Sequence, residues 1–476
     1  MDLDKDLAAR QEARKLCREA REAQIVLSKF SQEKLDAITE TVAKAFSAAA
    51  AELAALAVQE TGFGNTEDKI TKNRFASERV FQRIRDMKTV GALKENAQEK
   101  LWEVGVPLGV IGAIIPSTNP TSTVCYKALI ALKAGNAIVF SPHPKAVKCT
   151  LRASQIVALA AEKAGAPAGS VSCLSMASMA GCQELMAAPE VKLILATGGP
   201  AMVRAAYSSG KPAIGVGAGN GPAYIHKSAD VKQAISSILR SKTFDYGTVC
   251  ASEQSMIVEK SMEQQVREEA KRQGFYFMDT KEAGMLAKLL FKPNGALNPE
   301  IVGRSAEKLA EMAGFPVPAE TKILVAREQE AGPTRPYSME KLCPVLAFFV
   351  MDSEDAVLEK AVEVLTHEGS GHTFAMHAQD REVIRRFGLR IPVSRFLVNT
   401  PAALGGIGAT TGLFPALTLG CGAVGGSSSS NNIGPMDLIN IRRIAWGVDE
   451  PQKSNCPAVS DSLIDAIAAK IMERIQ

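Results

Sequence analysis

At 476 residues the chain is long enough for two or three domains around a large core. Its composition, 46% hydrophobic and 22% charged, is that of an ordinary α/β protein, and a net charge of +4 with no basic run among aromatics speaks against a nucleic-acid face. No apolar stretch reaches membrane-spanning length, since Glu52 interrupts the Ala-rich run 46–58, and the opening Met-Asp-Leu-Asp-Lys lacks the pattern of a secretion signal.

Residues 1 to about 95 read as helices. Apolar residues recur at helical spacing over Ala8–Leu27, Gln32–Val58 and Lys72–Asp86, and Glu60–Asp68 is a Gly-marked connection. From Val104 the pattern alternates between strand and helix. Strands are expected at Val110–Ile115, Asn136–Phe140, Val171–Leu174, Val191–Leu195 and Pro212–Val216. Repeated strand–loop–helix units predict a doubly wound parallel sheet that binds ligands at the carboxyl ends of its strands.

A second α/β region is expected from Thr243. Its strands read as Ser255–Val258, Thr321–Ala326, Leu346–Met351, His372–His377 and Arg395–Asn399, with helices near Met262–Arg272, Ala306–Met312 and Glu354–Leu365. Pro401–Asn432 is rich in Gly and Ser and reads as a binding loop or a disordered segment. Residues 449–459 look like a linker. After it, Leu463, Ile464, Ile467, Ile471 and Ile475 share one face of a terminal helix that either folds back or docks on a partner.

Cys250 stands apart from the other eight cysteines. It lies among small and polar residues between a helical stretch and an apolar strand, where a thiol has access and backbone N–H groups to favour its thiolate. Cys125, Cys149, Cys173 and Cys343 lie in apolar or helical runs and read as packing residues, while Cys421 sits in the Gly-rich loop. The nine cysteines include no CxxC pair, so neither a disulfide framework nor a metal site is expected, and a reducing, cytoplasmic setting fits.

Three strand-end loops carry further chemistry. Asn119 can donate to a developing oxyanion, or simply form a turn. The glycines of Thr197-Gly-Gly-Pro200 let backbone amides approach a pyrophosphate, although such connections are common. Gly215–Asn220 has the glycines of a dinucleotide fingerprint but opens no helix, because Pro222 and another apolar strand follow.

Eight stretches occur in the order of one known family: Glu67–Asn73, Pro116–Thr123, Phe140–Pro144, Leu195–Pro200, Ala206–Asn220, Cys250–Ser255, Gly371–Thr373 and Leu417–Gly422. Over residues 10 to 446 the chain resembles the CoA-acylating branch of the aldehyde dehydrogenase superfamily, notably the aldehyde dehydrogenase half of bifunctional aldehyde–alcohol dehydrogenases. No alcohol dehydrogenase half follows, so it reads as a stand-alone version. The resemblance implies N-terminal helices and a doubly wound cofactor-binding domain over 1–242 and an α/β catalytic domain over 243–432. A return to the cofactor domain with a small oligomerisation element then covers 433–448, and a linker and amphipathic helix cover 449–476.

The resemblance also implies a mechanism. Cys250 is the nucleophile, and Asn119 with the Cys250 N–H holds the oxyanion. Ile114, Ile115, Pro116, Ser117, Thr118, Asn119, Gly199, Gly217, Glu340 and Leu419 bind NAD. Ser141 and His143 stand where hydrolytic relatives carry a Lys-Pro pair, which leaves the choice between NAD and NADP open. Hydrolytic relatives also place a glutamate where Val216-Gly-Ala-Gly219 stands here, so the acyl group is expected to pass to CoA. Glu253 is the nearest alternative base in sequence, and His143 and His372 either line the CoA or cofactor cleft or are structural.

The expected activity is that of an acetylating, NAD-dependent acetaldehyde dehydrogenase. Propionaldehyde, sulfoacetaldehyde and acyl phosphates are alternatives, and a non-catalytic scaffold is weighed against by Cys250 and Asn119. A homo-oligomer is expected. The terminal helix, 460–476, resembles the peptides that direct enzymes to bacterial microcompartment shells.

Overall fold

The computed structural model describes residues 4–448 and 460–475. The first helix, Lys5–Leu27, begins where the Asp4 side chain accepts from the Asp6 N–H. It buries Ala9, Ala13, Cys17, Ala20, Ala23 and Leu27, a stripe of mostly small residues three or four apart that lets it lie close to the core. The helix expected over Gln32–Val58 is two helices, Gln32–Ala48 and Ala50–Thr61, broken at Ala49 and closed at Gly62, whose φ of 69° suits a glycine C-cap. Thr66–Arg74 runs through a π turn, Phe75–Arg79, into Val80–Ile84. No single helix among the described residues is long and apolar enough to cross a membrane.

Two parallel sheets form the body of the molecule. The first has the order Val171–Cys173, Ala137–Ser141, Val110–Ile114, Val191–Thr197, Ala213–Val216. The chain starts at its centre, moves one way, then returns and moves the other, so loops 115–119 and 197–200 flank the point where the winding reverses. Every residue of the helix Pro120–Lys133 behind it is buried.

The second sheet has the order Phe275–Phe277, Ile323–Arg327, Val345–Met351, Glu253–Glu259, Gly221–Ile225, Gly371–His377, Val393–Val398. The strand Gly221–Ile225 lies inside it, paired with Glu253–Glu259 and Gly371–His377. The chain therefore enters this sheet at residue 221, and the expected boundary at 243 is corrected. Residues 217–220 cross directly from a strand of one sheet to a strand of the other, which is why their glycines precede no helix.

A third sheet was not legible in the sequence. The hairpin Gly91–Asn96 with Leu101–Pro107 pairs antiparallel with Ile439–Ala445. Asn136 Nδ2 donates to the Leu438 carbonyl and ties this returning segment to the first sheet's domain. The stretch Pro401–Asn432 holds only the short helix Ala402–Gly406 and a 3₁₀ turn, Ala423–Gly425, yet Asn432 Nδ2 donates to the Gly406 and Phe414 carbonyls and Arg395 to that of Gly420. Those bonds favour the binding-loop alternative over disorder. The linker at 449–459 lies outside the described residues. The helix Asp461–Ile475 has no buried residue, so it does not fold back on the described body.

Candidate active site

Cys250 lies between the helix Val231–Thr243 and the strand Glu253–Glu259, at the amino-terminal edge of the second sheet. That edge meets the carboxyl edge of the first sheet, and the two enclose a cavity. Cys250, Asn119, Pro116, Ser117, Thr118, His143, Gly199, Gly217, Glu340 and Leu419 all line it. Ile114, Ile115 and Ser141 do not. They are buried beneath the loops, where the Ile115 N–H donates to the Ser141 carbonyl and Lys127 Nζ donates to those of Ile114 and Leu195. They support the wall as backbone and side-chain packing.

Burial pushes the Cys250 thiol up to about 12, with the Glu340 carboxylate adding to the shift and Arg395 opposing it. A thiol raised that far is protonated at neutral pH. The segment leading to it is constrained: Asp245 and Tyr246 hold φ values of 48° and 51°, a left-handed conformation unfavourable for L-residues.

Asn119 opens the helix Pro120–Lys133 without capping it. Its side chain turns away instead, with Oδ1 accepting from Lys72 Nζ at 2.6 Å. Nδ2 has only longer contacts, to Thr118 Oγ1 at 3.2 Å and the Thr248 carbonyl at 3.5 Å. Lys72 also lines the cavity. The signal for it in the sequence is the pair of lysines three apart on one helix, Lys69 and Lys72, which must share a face.

On the opposite wall, Gly199 caps the helix Pro200–Tyr207 at the end where free N–H groups favour an anion. A Cβ added to Gly199 or Gly217 would meet no described atom within 4 Å. These glycines leave open space along the wall, as a cofactor's pyrophosphate and sugar require, so the residues present fit a nicotinamide dinucleotide. Glu340 Oε1 accepts from the Gly219 N–H at 2.8 Å. Burial, together with Glu368, pushes this carboxyl up to about 8. Exposed His143 stands at the rim, its Nδ1 accepting from the Lys145 N–H.

His372 does not line the cavity. It is fully buried, its Nδ1 bonded to Thr373 Oγ1 at 2.9 Å, and its Nε2 finds no partner among the described residues. A Cβ on Gly219 would lie 3.1 Å from its Cε1 and 2.0 Å from the Cys250 carbonyl oxygen, so the ring and the Cys250 backbone flank the same glycine. Burial, with Arg395, holds this imidazole well below its ordinary range and therefore neutral. Glu253 does not line the cavity: its Oε1 accepts from the Ala402 N–H at 3.0 Å. Among the expected packing cysteines, Cys125, Cys149 and Cys343 are fully buried and Cys173 is half-buried; Cys421 is buried as well.

The sequence profile of the aldehyde dehydrogenase family matches residues 4–274. The bifunctional aldehyde-alcohol dehydrogenase of Escherichia coli (strain K12) is 46% identical over 436 residues, covering 90% of this chain and 49% of that protein. The chain thus spans about half the length of the curated relatives it matches first. A probable aldehyde dehydrogenase from Listeria monocytogenes EGD-e superposes with a TM-score of 0.93 at 54% identity, over 94% of this chain and 99% of that one. An acetylating aldehyde dehydrogenase from Geobacillus thermoglucosidasius gives a TM-score of 0.93 at 49% identity, over 95% and 100%.

Proposed function

This chain belongs to the aldehyde dehydrogenase family, and on that premise we propose that it is a CoA-acylating member that converts a short-chain aldehyde, acetaldehyde foremost, to its acyl-CoA, reversibly. One observation carries the reading. The wall beside Cys250 is built from Val216, Gly217 and Ala218, and the nearest acid in sequence, Glu253, is buried elsewhere. Glu340 is the one carboxylate among the described lining residues, and a carboxyl pushed up to about 8 is mostly protonated at neutral pH. Water is left without a strong base, whereas a thiol is an intrinsically better nucleophile.

In this reading Cys250 Sγ attacks the aldehyde carbon. Asn119 Nδ2 and the Cys250 N–H receive the oxyanion of the thiohemiacetal. A bound nicotinamide cofactor supplies the hydride acceptor. Cys250 is left as a thioester, and the CoA sulfur displaces it. Gly199 and Gly217 give the cofactor room, and Glu340 offers its carboxyl to a ribose. NAD is proposed over NADP, the Ser141–His143 segment being the place that decides. Neutral His372, whose ring flanks Gly219 together with the Cys250 backbone and whose Nε2 has no described partner, is proposed as the proton acceptor. Aldehyde, NAD and CoA mixed with the protein should give acyl-CoA and NADH. Free acid forming at a comparable rate with both acceptors present would overturn the reading.

The surfaces outside the cavity suggest partners. Trp102, Ile441 and Ile444 are exposed on the three-stranded sheet, exposed Trp446 directly follows it, and Ile439–Ala445 is one of its edge strands. An unpaired apolar edge fits a second copy of the chain, the proposed homo-oligomer. The helix Asp461–Ile475 exposes Leu463, Ile464, Ile467 and Ile471 by just over half of each. A bacterial microcompartment shell protein is its proposed partner, with the cytoplasm or a microcompartment lumen the setting, since confinement suits a volatile aldehyde. Removing residues 455–476 should abolish shell association and spare turnover. Unchanged co-purification with shell proteins would refute it.

A further inference from the structure

We propose that Lys72 is the positioning residue of the oxyanion site: its ammonium fixes and polarises the Asn119 amide so that Nδ2 faces the oxygen of the Cys250 adduct. The inference rests on the roles given above to Cys250 and Asn119.

The geometry begins with hydrogen-bond chemistry. An ammonium has three donors and no acceptor. Lys72 Nζ places one donor each on Asn119 Oδ1 at 2.6 Å, Asp245 Oδ2 at 2.5 Å and Thr248 Oγ1 at 2.9 Å. The amide atom facing Lys72 must therefore be the oxygen, and Nδ2 is turned to the other side, where its contacts are long. Without the ammonium an asparagine amide can flip, and a flipped amide would present its own oxygen to the oxyanion. A positive charge on Oδ1 also draws electrons from the amide and strengthens Nδ2 as a donor.

Stability alone gives a poor account of the cluster. Lys69 and Lys72 are each 3% exposed, and Asp245 is fully buried. Two buried ammoniums share the buried Asp245 carboxylate, with half-buried Asp68 adding a weaker pull on Lys72, an arrangement whose desolvation is not recovered by these counter-charges. The pair divides its work. Lys69 Nζ reaches Asp245 and the Thr118 carbonyl, which fixes the backbone before Asn119; Lys72 alone reaches the amide. The same carboxylate holds the strained turn: Asp245 Oδ1 accepts from the Asn65 N–H and Oδ2 from Thr248 Oγ1, two residues before Cys250. Nucleophile and oxyanion donor are thus referenced to one buried anion. Burial lowers Lys72 to about 8 against the pull of Asp245, so the cation is retained at neutral pH and lost as pH rises through that value.

A double-mutant cycle tests this on the full chain with aldehyde, NAD and CoA. Asn119→Ala should lower turnover about 100-fold or more, the usual effect of losing one oxyanion donor. Lys72→Met should lower it about 10- to 100-fold, while Cys250 alkylation by iodoacetamide, which forms no oxyanion, keeps its rate. In the Asn119→Ala background Lys72→Met should add less than about twofold, because the residue acts through that amide. A Lys72→Met penalty that persists in full without Asn119, turnover within about twofold of wild type, or a parallel loss of alkylation each overturns the proposal. Should Lys72→Met fail to fold, Lys72→Gln, which keeps a neutral donor, carries the same cycle. Full activity of Asn119→Ala would instead break the underlying reading of the site.

Discussion

On the wall assigned to the cofactor, Gly199 and Gly217 stand clear, and an added Cβ would meet no described atom within 4 Å. Two residues beyond Gly217, a Cβ on Gly219 would lie 2.0 Å from the Cys250 carbonyl oxygen, and one on Gly371 would lie 1.7 Å from that of Cys421. The sequence spells these positions identically. In the first pair the missing side chain leaves open space, which the proposed function gives to a ligand; in the second it is contact between segments of the chain. A Gly-rich stretch thus mixes open and packed positions, and only the neighbours separate them.

That contrast can be broken at its crowded end first. Gly219→Ala forces a methyl against the Cys250 backbone and the His372 ring, with no flexible side-chain end to yield. Turnover is expected to fall by more than about 100-fold, with a stability loss of about 2–4 kcal/mol by denaturant melt. A variant with near-normal stability and turnover would show that Cys250 is not held by this contact. Gly217→Ala sharpens the other end. Its melting temperature should match wild type, while the KM for NAD rises about tenfold, which is about 1.4 kcal/mol of binding. A drop in stability without a change in KM would return Gly217 to the packing class.

How much of this was legible beforehand follows from the same physics. Several central strands of both sheets are continuous apolar runs buried on two faces, and Val110–Ile114, Val191–Thr197 and Val345–Met351 appear within a residue or two of where the sequence puts them. The hairpin of the third sheet has no such run: Lys94, Glu95, Glu99 and Lys100 surround its turn, and much of its surface is exposed. The boundary at 243 was misplaced because Gly221-Pro-Ala-Tyr-Ile225 follows the previous strand with no helix between, and sequence order suggested the same sheet. Most loops that line the cavity carry motifs read in the sequence, and those motifs span two layers. Ile114, Ile115 and Ser141 belong to the packed layer under the wall, and Lys72, contributed by an N-terminal helix about 180 residues before Cys250, reaches the cavity only through the tertiary fold.

Glu253 extends the contrast from glycines to acids. It is 1% exposed, with Oε1 on the Ala402 N–H and no described partner for Oε2. Burial pushes its carboxyl up to about 7 from an ordinary 4.5. The folded chain therefore holds a proton that the unfolded chain releases, so this group's contribution to stability is complete below about pH 4.5 and is lost as pH rises through about 7. Glu253→Gln cannot titrate. The stability of wild type relative to that variant should decline by about 1–3 kcal/mol between pH 4.5 and 8, with most of the decline complete by about pH 7. A difference independent of pH would mean that the carboxyl ionises freely and is exposed to solvent. The predicted decline would place the acid nearest Cys250 in sequence among the groups that the fold keeps neutral, out of reach of water at the thioester.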